Sequence, residues 1–460
     1  MNLANIHKIY FLGIGGIGMS ALARYFLLKG AEVYGYDKTP TSLTHQLEVE
    51  GMKIHFSEDV ASIPDSIDLV IFTPAVPSDH AEYIYFRLRS IPMLKRAEVL
   101  GLITSAYQTI AVAGTHGKTT ITTLTAHLLT QSNVGCSAFL GGISKNYSSN
   151  LLYNQTSENM VVEADEFDRS FLQLHPQTAI ITSMDADHLD IYGSRENLQE
   201  SFLLFASQVK DDGNLIIQHS LYHLFKNHSK QNKILTYGIE CKADFAARNI
   251  SLNHGLYTFD LEYPSGYINN LTLGLQGYYN IENAVAAIAA ALLHGVTENE
   301  IRSSLPLFTG VARRFDIRIN KPDLVYIDDY AHHPAELQAC ISSTRRLFEG
   351  RRITGIFQPH LYSRTRDFAD QFARSLELLD ELILMEIYPA RELPIEGITS
   401  PWLLEKVNLK VKSLLTPNKL LIHLKTNKPD VLLTMGAGDI DLLVKPIEQQ
   451  LTQLIEESHA

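Results

Sequence analysis

Two glycine loops, far apart in the chain, constrain the fold more than any other feature. Gly13-Ile14-Gly15-Gly16-Ile17-Gly18 follows the apolar run Ile9-Tyr10-Phe11-Leu12, and Gly114-Thr115-His116-Gly117-Lys118-Thr119-Thr120 follows Ile110-Ala111-Val112-Ala113. After each loop apolar residues recur at helical spacing, so both loops mark strand-to-helix junctions, the unit from which parallel sheets are built. Short apolar runs alternate with helical patterns almost throughout, with candidate strands over 8–12, 32–36, 68–73, 109–113, 160–164, 178–183, 324–328, 353–358, 381–387 and 430–434. An α/β fold is expected. Ligands of open α/β sheets bind at the carboxyl ends of the strands, so the polar residues just after these runs are the functional candidates.

At about 150 residues per domain, the 460-residue chain should hold about three domains. The pattern restarts after Gly101 with Gln108–Ala113, and again after Thr309-Gly310-Val311-Ala312-Arg313-Arg314, which places the domains at 1–105, 106–311 and 312–460. Between about 235 and 275, short alternating stretches such as Leu256-Tyr257-Thr258-Phe259-Asp260-Leu261 suggest a small antiparallel insertion.

Composition narrows the function classes. A net charge of −12 without any long basic run argues against a nucleic-acid or anionic-membrane partner. Cys136, Cys241 and Cys340 are far apart and show no CxxC spacing, which fits a reducing compartment better than a disulfide framework or thiolate metal site. No run reaches the roughly 18 apolar residues of a membrane span. The start Met1-Asn2-Leu3-Ala4-Asn5 lacks the basic opening and cleavage site of a signal peptide, so a cytoplasmic protein is expected.

The first loop fits G-x-G-x-x-G and opens a stretch in which Ile17, Ala21, Leu22, Tyr25 and Leu28 share one helical face. Glycines there let backbone amides approach a diphosphate at a helix N-terminus, and Asp37, closing the next apolar run, is placed to bond a ribose hydroxyl. NAD and a UDP-sugar both offer diphosphate plus ribose. The second loop is a shortened phosphate loop: the full pattern asks for Gly at the position held by Val112. Its amides would cradle phosphates, Lys118 would reach the β/γ oxygens and the Thr119 hydroxyl would ligate Mg²⁺. A nicotinamide enzyme has no use for such a triphosphate cradle.

Carboxylates follow where a cation would need them. Met160-Val161-Val162 runs into Glu163-Ala164-Asp165-Glu166-Phe167-Asp168, and Ile180-Ile181-Thr182-Ser183 leads to Asp185-Ala186-Asp187-His188-Leu189-Asp190. Leu189 falls on a position that an EF-hand reserves for an oxygen ligand, which argues against a calcium loop; two βα steps after the phosphate loop, the segment is a candidate metal site. Farther on, Asp328-Asp329-Tyr330-Ala331-His332-His333-Pro334 and Phe357-Gln358-Pro359-His360-Leu361-Tyr362-Ser363-Arg364 gather His, Tyr and Arg at strand ends, which favours an anionic substrate. Adjacent histidines cannot share one face of a strand, so one functional His beside one structural His is expected.

Taken in order, these segments resemble the Mur ligase family, together with Arg96-Ala97-Glu98, Asn280 to Asn283, Arg313-Arg314-Phe315-Asp316 and Gly436-Ala437-Gly438-Asp439. The resemblance covers nearly the whole chain and is greatest to the branch that joins L-alanine to UDP-N-acetylmuramate. It implies an N-terminal Rossmann-like domain for the UDP-sugar, a central P-loop ATPase domain with a mostly parallel sheet, and a C-terminal Rossmann-like domain that closes over the site and helps bind the amino acid. By motif match, Gly13, Gly15, Gly16, Ile17, Gly18 and Asp37 would hold the UDP-sugar. Gly114, Thr115, His116, Gly117, Lys118, Thr119, Thr120, Asn280, Asn283 and Arg314 would hold ATP. Thr119, Glu166 and His188 would ligate Mg²⁺, with Mn²⁺ as a substitute, and Lys118, Glu166 and His188 would be catalytic. Tyr330, His332, His360 and Arg364 would face the amino acid. Tyr279 and Leu361 depart from the common pattern, which has His and, in some relatives, Arg at these places. The resemblance further implies small-molecule substrates only, and a monomer or weak dimer.

Three other readings stand beside this one. A recycling ligase would attach a preformed peptide to the same UDP-sugar. An NAD-dependent oxidoreductase would rest on Gly13, Gly15, Gly18 and Asp37 but leave the Lys118 loop without a purpose. A nucleotide-sensing module would have no need of an acceptor pocket.

Overall fold

The computed structural model describes residues 3–185, 189–226, 233–390 and 392–459. Their contacts form two compact units, Met1–Gly274 with Ile281–Gly310, and Leu275–Asn280 with Val311–Ala460. The chain is α/β with three mostly parallel sheets, one to each of three domains, and the first unit holds two of them.

The first sheet runs β1 (Lys8–Leu12), β2 (Glu32–Tyr36), β3 (Lys53–His55), β4 (Leu69–Phe72) and β5 (Met93–Lys95), all parallel, in the spatial order β3-β2-β1-β4-β5. Its order reverses between β1 and β4, which opens a crevice beyond their carboxyl ends, and the Gly13 loop leaves β1 there.

The second sheet comprises β6 (Gln108–Ala113), β7 (Ser137–Ser144), β8 (Ser149–Leu152), β9 (Asn159–Glu163), β10 (Thr178–Ile181), β11 (Asn214–Gln218), β12 (Lys233–Ile239), β13 (Phe245–Asn253), β14 (Leu256–Tyr263) and β15 (Gly266–Thr272). The phosphate-loop strand β6 lies between β9 and β10, again where the order reverses. The stretch expected to be an inserted antiparallel piece is not separate. Lys233–Ile239 pairs parallel with β11, and the antiparallel strands β14 and β15 extend the same sheet at its edge.

In the second unit, β16 (Asp316–Lys321), β17 (Leu324–Asp329), β18 (Ile353–Phe357), β19 (Glu381–Leu384), β20 (Lys412–Leu414) and β21 (Val431–Met435) pair in the order β16-β17-β21-β18-β19-β20, with only β16 antiparallel. Alternate residues serve its two faces: Val325, Ile327 and Leu433 enter one core cluster, Leu324, Tyr326 and Leu432 the other. Among the described residues no helix is long and apolar enough to cross a membrane.

The helix Ile17–Leu28 corrects one expectation. It buries every residue from Met19 to Phe26, whereas Ile17 and Leu28, assigned to the buried face, are exposed. The cause is packing on two sides, because the helix also contacts β7 and β8 of the second sheet. Even Arg24 is buried on it. Its guanidinium bonds both Glu50 oxygens, at 2.7 to 3.1 Å, and the Asn150 side-chain oxygen, while Asn150 Nδ2 donates to the Ile17 carbonyl at 2.6 Å and to Ser20 Oγ at 2.8 Å. A buried guanidinium persists only when paired in this way.

Gly101 shows tertiary context overriding helix propensity. It lies inside the helix Arg96–Thr104, where alanine ordinarily stabilises by about 1 kcal/mol. A Cβ at Gly101 would lie 2.5 Å from the Gln173 carbonyl oxygen. Gly101→Ala should therefore lower the melting temperature; a rise would contradict this packing.

Candidate functional site

The two glycine loops differ in what their backbone is already doing. In the first, the amides of Gly13 and Ile14 donate to the Tyr36 carbonyl at 2.8 and 3.0 Å, and the Gly15 amide donates to Asp37 Oδ2 at 2.7 Å. The other Asp37 oxygen accepts from the Thr39 amide at 3.1 Å. Asp37 thus braces the loop itself. The groups left to meet a diphosphate are the amides of Ile17, Gly18 and Met19 in the opening turn, ahead of the first intrahelical bond from Ser20 to Gly16. Gly15 has no room for a side chain, because a Cβ there would stand 2.8 Å from both Asp37 Oδ2 and Thr44 Cγ2.

The second loop is latched to the end of β10. Thr115 N donates to the Ser183 carbonyl at 3.2 Å, His116 N to Ser183 Oγ at 3.0 Å, Thr182 Oγ1 to the His116 carbonyl at 2.5 Å, and Thr115 Oγ1 to the Asp185 carbonyl at 3.1 Å. Gly114, at φ +132°, is required because a Cβ would fall 2.0 Å from Thr182 Oγ1. Gly117 turns left-handed, at φ +81°, into the helix Lys118–Thr130, leaving the amides of Lys118, Thr119 and Thr120 at its start. The Asn283 side-chain oxygen stands against Gly117, 2.8 Å from where a Cβ would be.

Lys118 is folded back on its own loop. Its Nζ donates to the Gly114 carbonyl at 2.6 Å and to Glu166 Oε1 at 2.8 Å. Burial alone would drive this ammonium toward neutrality, but Glu166, Glu163 and Asp165 outweigh it and hold its pKa above the ordinary lysine value. Tyr192 in turn donates to the Glu166 carbonyl at 2.6 Å.

Glu163 is the carboxylate that sequence reasoning did not single out as a ligand. Its Oε2, like that of Glu166, is buried without a hydrogen-bond partner. Room for it comes from Gly141 in β7, where a Cβ would lie 1.9 Å from Glu163 Oε2. The Gly141-Gly142 pair within a strand was the available signal, since such glycines mark a close approach. Two unpartnered buried carboxylate oxygens suit a hard cation. Among the described residues no three His, Cys, Asp or Glu gather as a metal cluster, so such a cation would take its remaining ligands from phosphate oxygens and water. Asp187 and His188 lie outside the described residues.

In the second unit, Tyr330, His332, His360 and Arg364 come together. The His332 and His360 rings are 6.0 Å apart, Tyr330 meets His332 edge-on at 5.3 Å, and Arg364 Nη1 is 3.3 Å from His360 Nδ1. Tyr388, unnoticed in the sequence, stacks on His360 at 5.7 Å. Arg313 and Arg314 both lie over the Tyr330 ring, at 5.4 and 5.0 Å. His333 has the structural part: it caps the helix Pro334–Leu347 and packs on Phe368. Asn280 donates to the Gln276 carbonyl at 2.7 Å. Glycines 436 and 438 clear space for Gln358, which donates to Asp439 at 2.6 Å and accepts from the Ile440 amide.

Asp329 braces this cluster by accepting from the amides of Phe315 and Ala331, at 2.6 and 2.7 Å. Burial, only partly offset by Arg314 and those amides, raises its pKa to about 6. A raised acid binds its proton more tightly in the folded state, so this group's contribution to stability falls as pH rises from about 4 through 6. Relative to Asp329→Asn, the wild type should lose up to about 3 kcal/mol across that window, measured as paired unfolding midpoints. A difference that does not change with pH would contradict this.

Comparison with known proteins agrees with the architecture. The family model described as "Mur ligase family, catalytic domain" matches residues 8–108, "Mur ligase middle domain" matches 112–291, and "Mur ligase, glutamate ligase domain" matches 313–438. The chain is 50% identical to a UDP-N-acetylmuramate--L-alanine ligase of Porphyromonas gingivalis, over 97% of this chain and 99% of that one. It is 48% identical to the ligase of that name from Flavobacterium johnsoniae, over 99% and 100%. The crystal structure of UDP-N-acetylmuramate-alanine ligase MurC from Thermotoga maritima superposes with a TM-score of 0.80 at 28% identity, covering 98% of this chain and 99% of that one. With three family models matched in order and relatives of near-equal length at half identity, this chain belongs to the Mur ligase family.

Proposed function

We propose that the protein is an ATP-dependent ligase that joins the amine of L-alanine to the carboxylate of UDP-N-acetylmuramate, in peptidoglycan precursor synthesis. The observation that carries this reading is the phosphate loop with its charge-paired Lys118 and neighbouring unpartnered carboxylates, in a chain that matches ligases of this name from end to end. A carboxylate is a poor electrophile. An oxygen of the UDP-sugar carboxylate takes the γ-phosphoryl group, the bond to the β-phosphate breaks and ADP leaves. The alanine nitrogen then attacks the acyl carbon, inorganic phosphate departs, and the amine gives up a proton.

On this reading the domains are 1–105 for the UDP-sugar, 106–311 for ATP and 312–460 for the amino acid. The turn Ile17 to Met19 holds the diphosphate on a loop that Asp37 braces. Lys118 swings its ammonium onto the transferring phosphoryl group, where charge develops. Thr119 and Glu163 would hold Mg²⁺, which would supply positive charge against the phosphates, while Glu166 pairs with Lys118. Asn280, Asn283 and Arg314 serve the nucleotide, and Tyr330, His332, His360 and Arg364 the amino acid; His188 enters by resemblance alone. The protein works in the cytoplasm on small molecules, as a monomer or weak dimer.

Phosphate release from ATP and Mg²⁺ tests this directly. It should require UDP-N-acetylmuramate and L-alanine together. Release only with a preformed peptide would move the protein to the recycling reading, and no release would leave no ligase. Lys118→Ala should abolish release while leaving UDP-sugar affinity within about twofold of wild type. It also strands Glu166 as a buried charge, costing about 3–5 kcal/mol, so Lys118→Ala/Glu166→Gln should recover stability without recovering turnover. Equal losses of rate and UDP-sugar affinity would contradict separate phosphate sites.

A further inference from the structure

Arg96, at the start of the helix Arg96–Thr104, lies between the first loop and the carboxylate segment that follows β9. On one side its guanidinium meets the opening turn of the first-loop helix: a Cβ on Gly18 would stand 3.0 Å from Arg96 Nη1 and 3.1 Å from its Cδ. On the other side Arg96 Nη2 is 3.4 Å from Asp165 Oδ2, one residue before the Glu166 that holds Lys118. Lys95 makes a second, looser pair with Asp168 at 3.6 Å. Asp168 and Arg169 are left-handed, at φ 52° and 55°, an arrangement that non-glycine residues adopt only when surrounding contacts hold it.

We propose that Arg96 binds the diphosphate of the UDP-sugar and that its exchange between that diphosphate and Asp165 couples the first loop to the carboxylates around Lys118. This rests on the ligase reading, which supplies the diphosphate. The Asp165 pair is long and partly solvated, whereas a diphosphate at Ile17 to Met19 would offer Arg96 a doubly charged, bidentate partner. Moving toward it, Arg96 frees the Asp165 carboxylate and adds negative charge beside Lys118. Occupancy of the UDP-sugar loop therefore changes affinity for the nucleotide and its cation, and by linkage the reverse holds.

Calorimetric titration of ADP with Mg²⁺, with and without saturating UDP-N-acetylmuramate, tests the link in wild type, Arg96→Ala, Arg96→Lys and Asp165→Asn. In the wild type the UDP-sugar should change ADP affinity about fivefold or more. Arg96→Ala should weaken UDP-sugar binding about tenfold or more and abolish the coupling, with Arg96→Lys retaining part of each. Asp165→Asn should leave UDP-sugar binding as tight as wild type or tighter, yet remove the coupling. If Arg96→Ala fails to fold, the lysine and asparagine variants carry the test. Unchanged UDP-sugar affinity in Arg96→Ala, coupling that survives Asp165→Asn, or no coupling in the wild type would overturn the proposal. A wild type inactive with UDP-N-acetylmuramate and L-alanine would instead remove the ligase reading beneath it.

Discussion

The buried ion pair between Lys118 and Glu166 is the constraint around which the first unit is arranged. An ammonium enclosed by its own loop is tolerable only with a carboxylate against it. That carboxylate comes from the segment after β9, so β9 must lie beside β6, and the loop that carries the lysine must be latched on its other side by β10. The sheet order, the glycines at 114 and 117 and the hydroxyls of Thr182 and Ser183 all serve this geometry. The lysine ammonium stands 2.8 Å from Glu166. On the proposed reading, the same ammonium would exchange that carboxylate for phosphate oxygens when a nucleotide enters, and its charge would stay paired throughout.

Much of this was legible in the sequence because glycine, lysine and strand-forming residues have narrow conformational meanings. The runs at 8–12 and 32–36 became strands with those bounds, and the loops fell at strand-to-helix junctions. Other elements lacked such a signature. β3, β5 and β20 have three residues each, too few to show a period of two. β7 carries Gly141-Gly142, which interrupts any alternating run and leaves it out of the candidate strands, and its pairing with β8 breaks register along its length. The one-sided face assigned to Ile17–Leu28 failed because nothing in that segment shows that a second sheet will cover its other side.

Site residues followed the same division. Residue spacing marked Lys118 and the Tyr330 to His333 segment without distributing roles among neighbours; the resemblance gave His332, rather than His333, to the amino acid. Which histidine caps a helix and which meets His360 is decided by the chain direction after β17. Likewise, spacing marks Asp37 as a ribose ligand but does not show that its carboxylate also accepts from the Gly15 amide. Spacing along a strand cannot say whether Glu163 or Glu166 pairs with the lysine, because the chain turns sharply between them.

The central proposal is a division of labour: Glu166, which pairs with Lys118, would hold the lysine, and Glu163 would offer the cation its carboxylate. Electron paramagnetic resonance of Mn²⁺ bound with ADP tests it in Glu163→Gln and Glu166→Gln. The account predicts that Glu163→Gln loses the tightly bound Mn²⁺ signal while Glu166→Gln keeps it. Retention of the signal in Glu163→Gln together with its loss in Glu166→Gln would reverse the assignment.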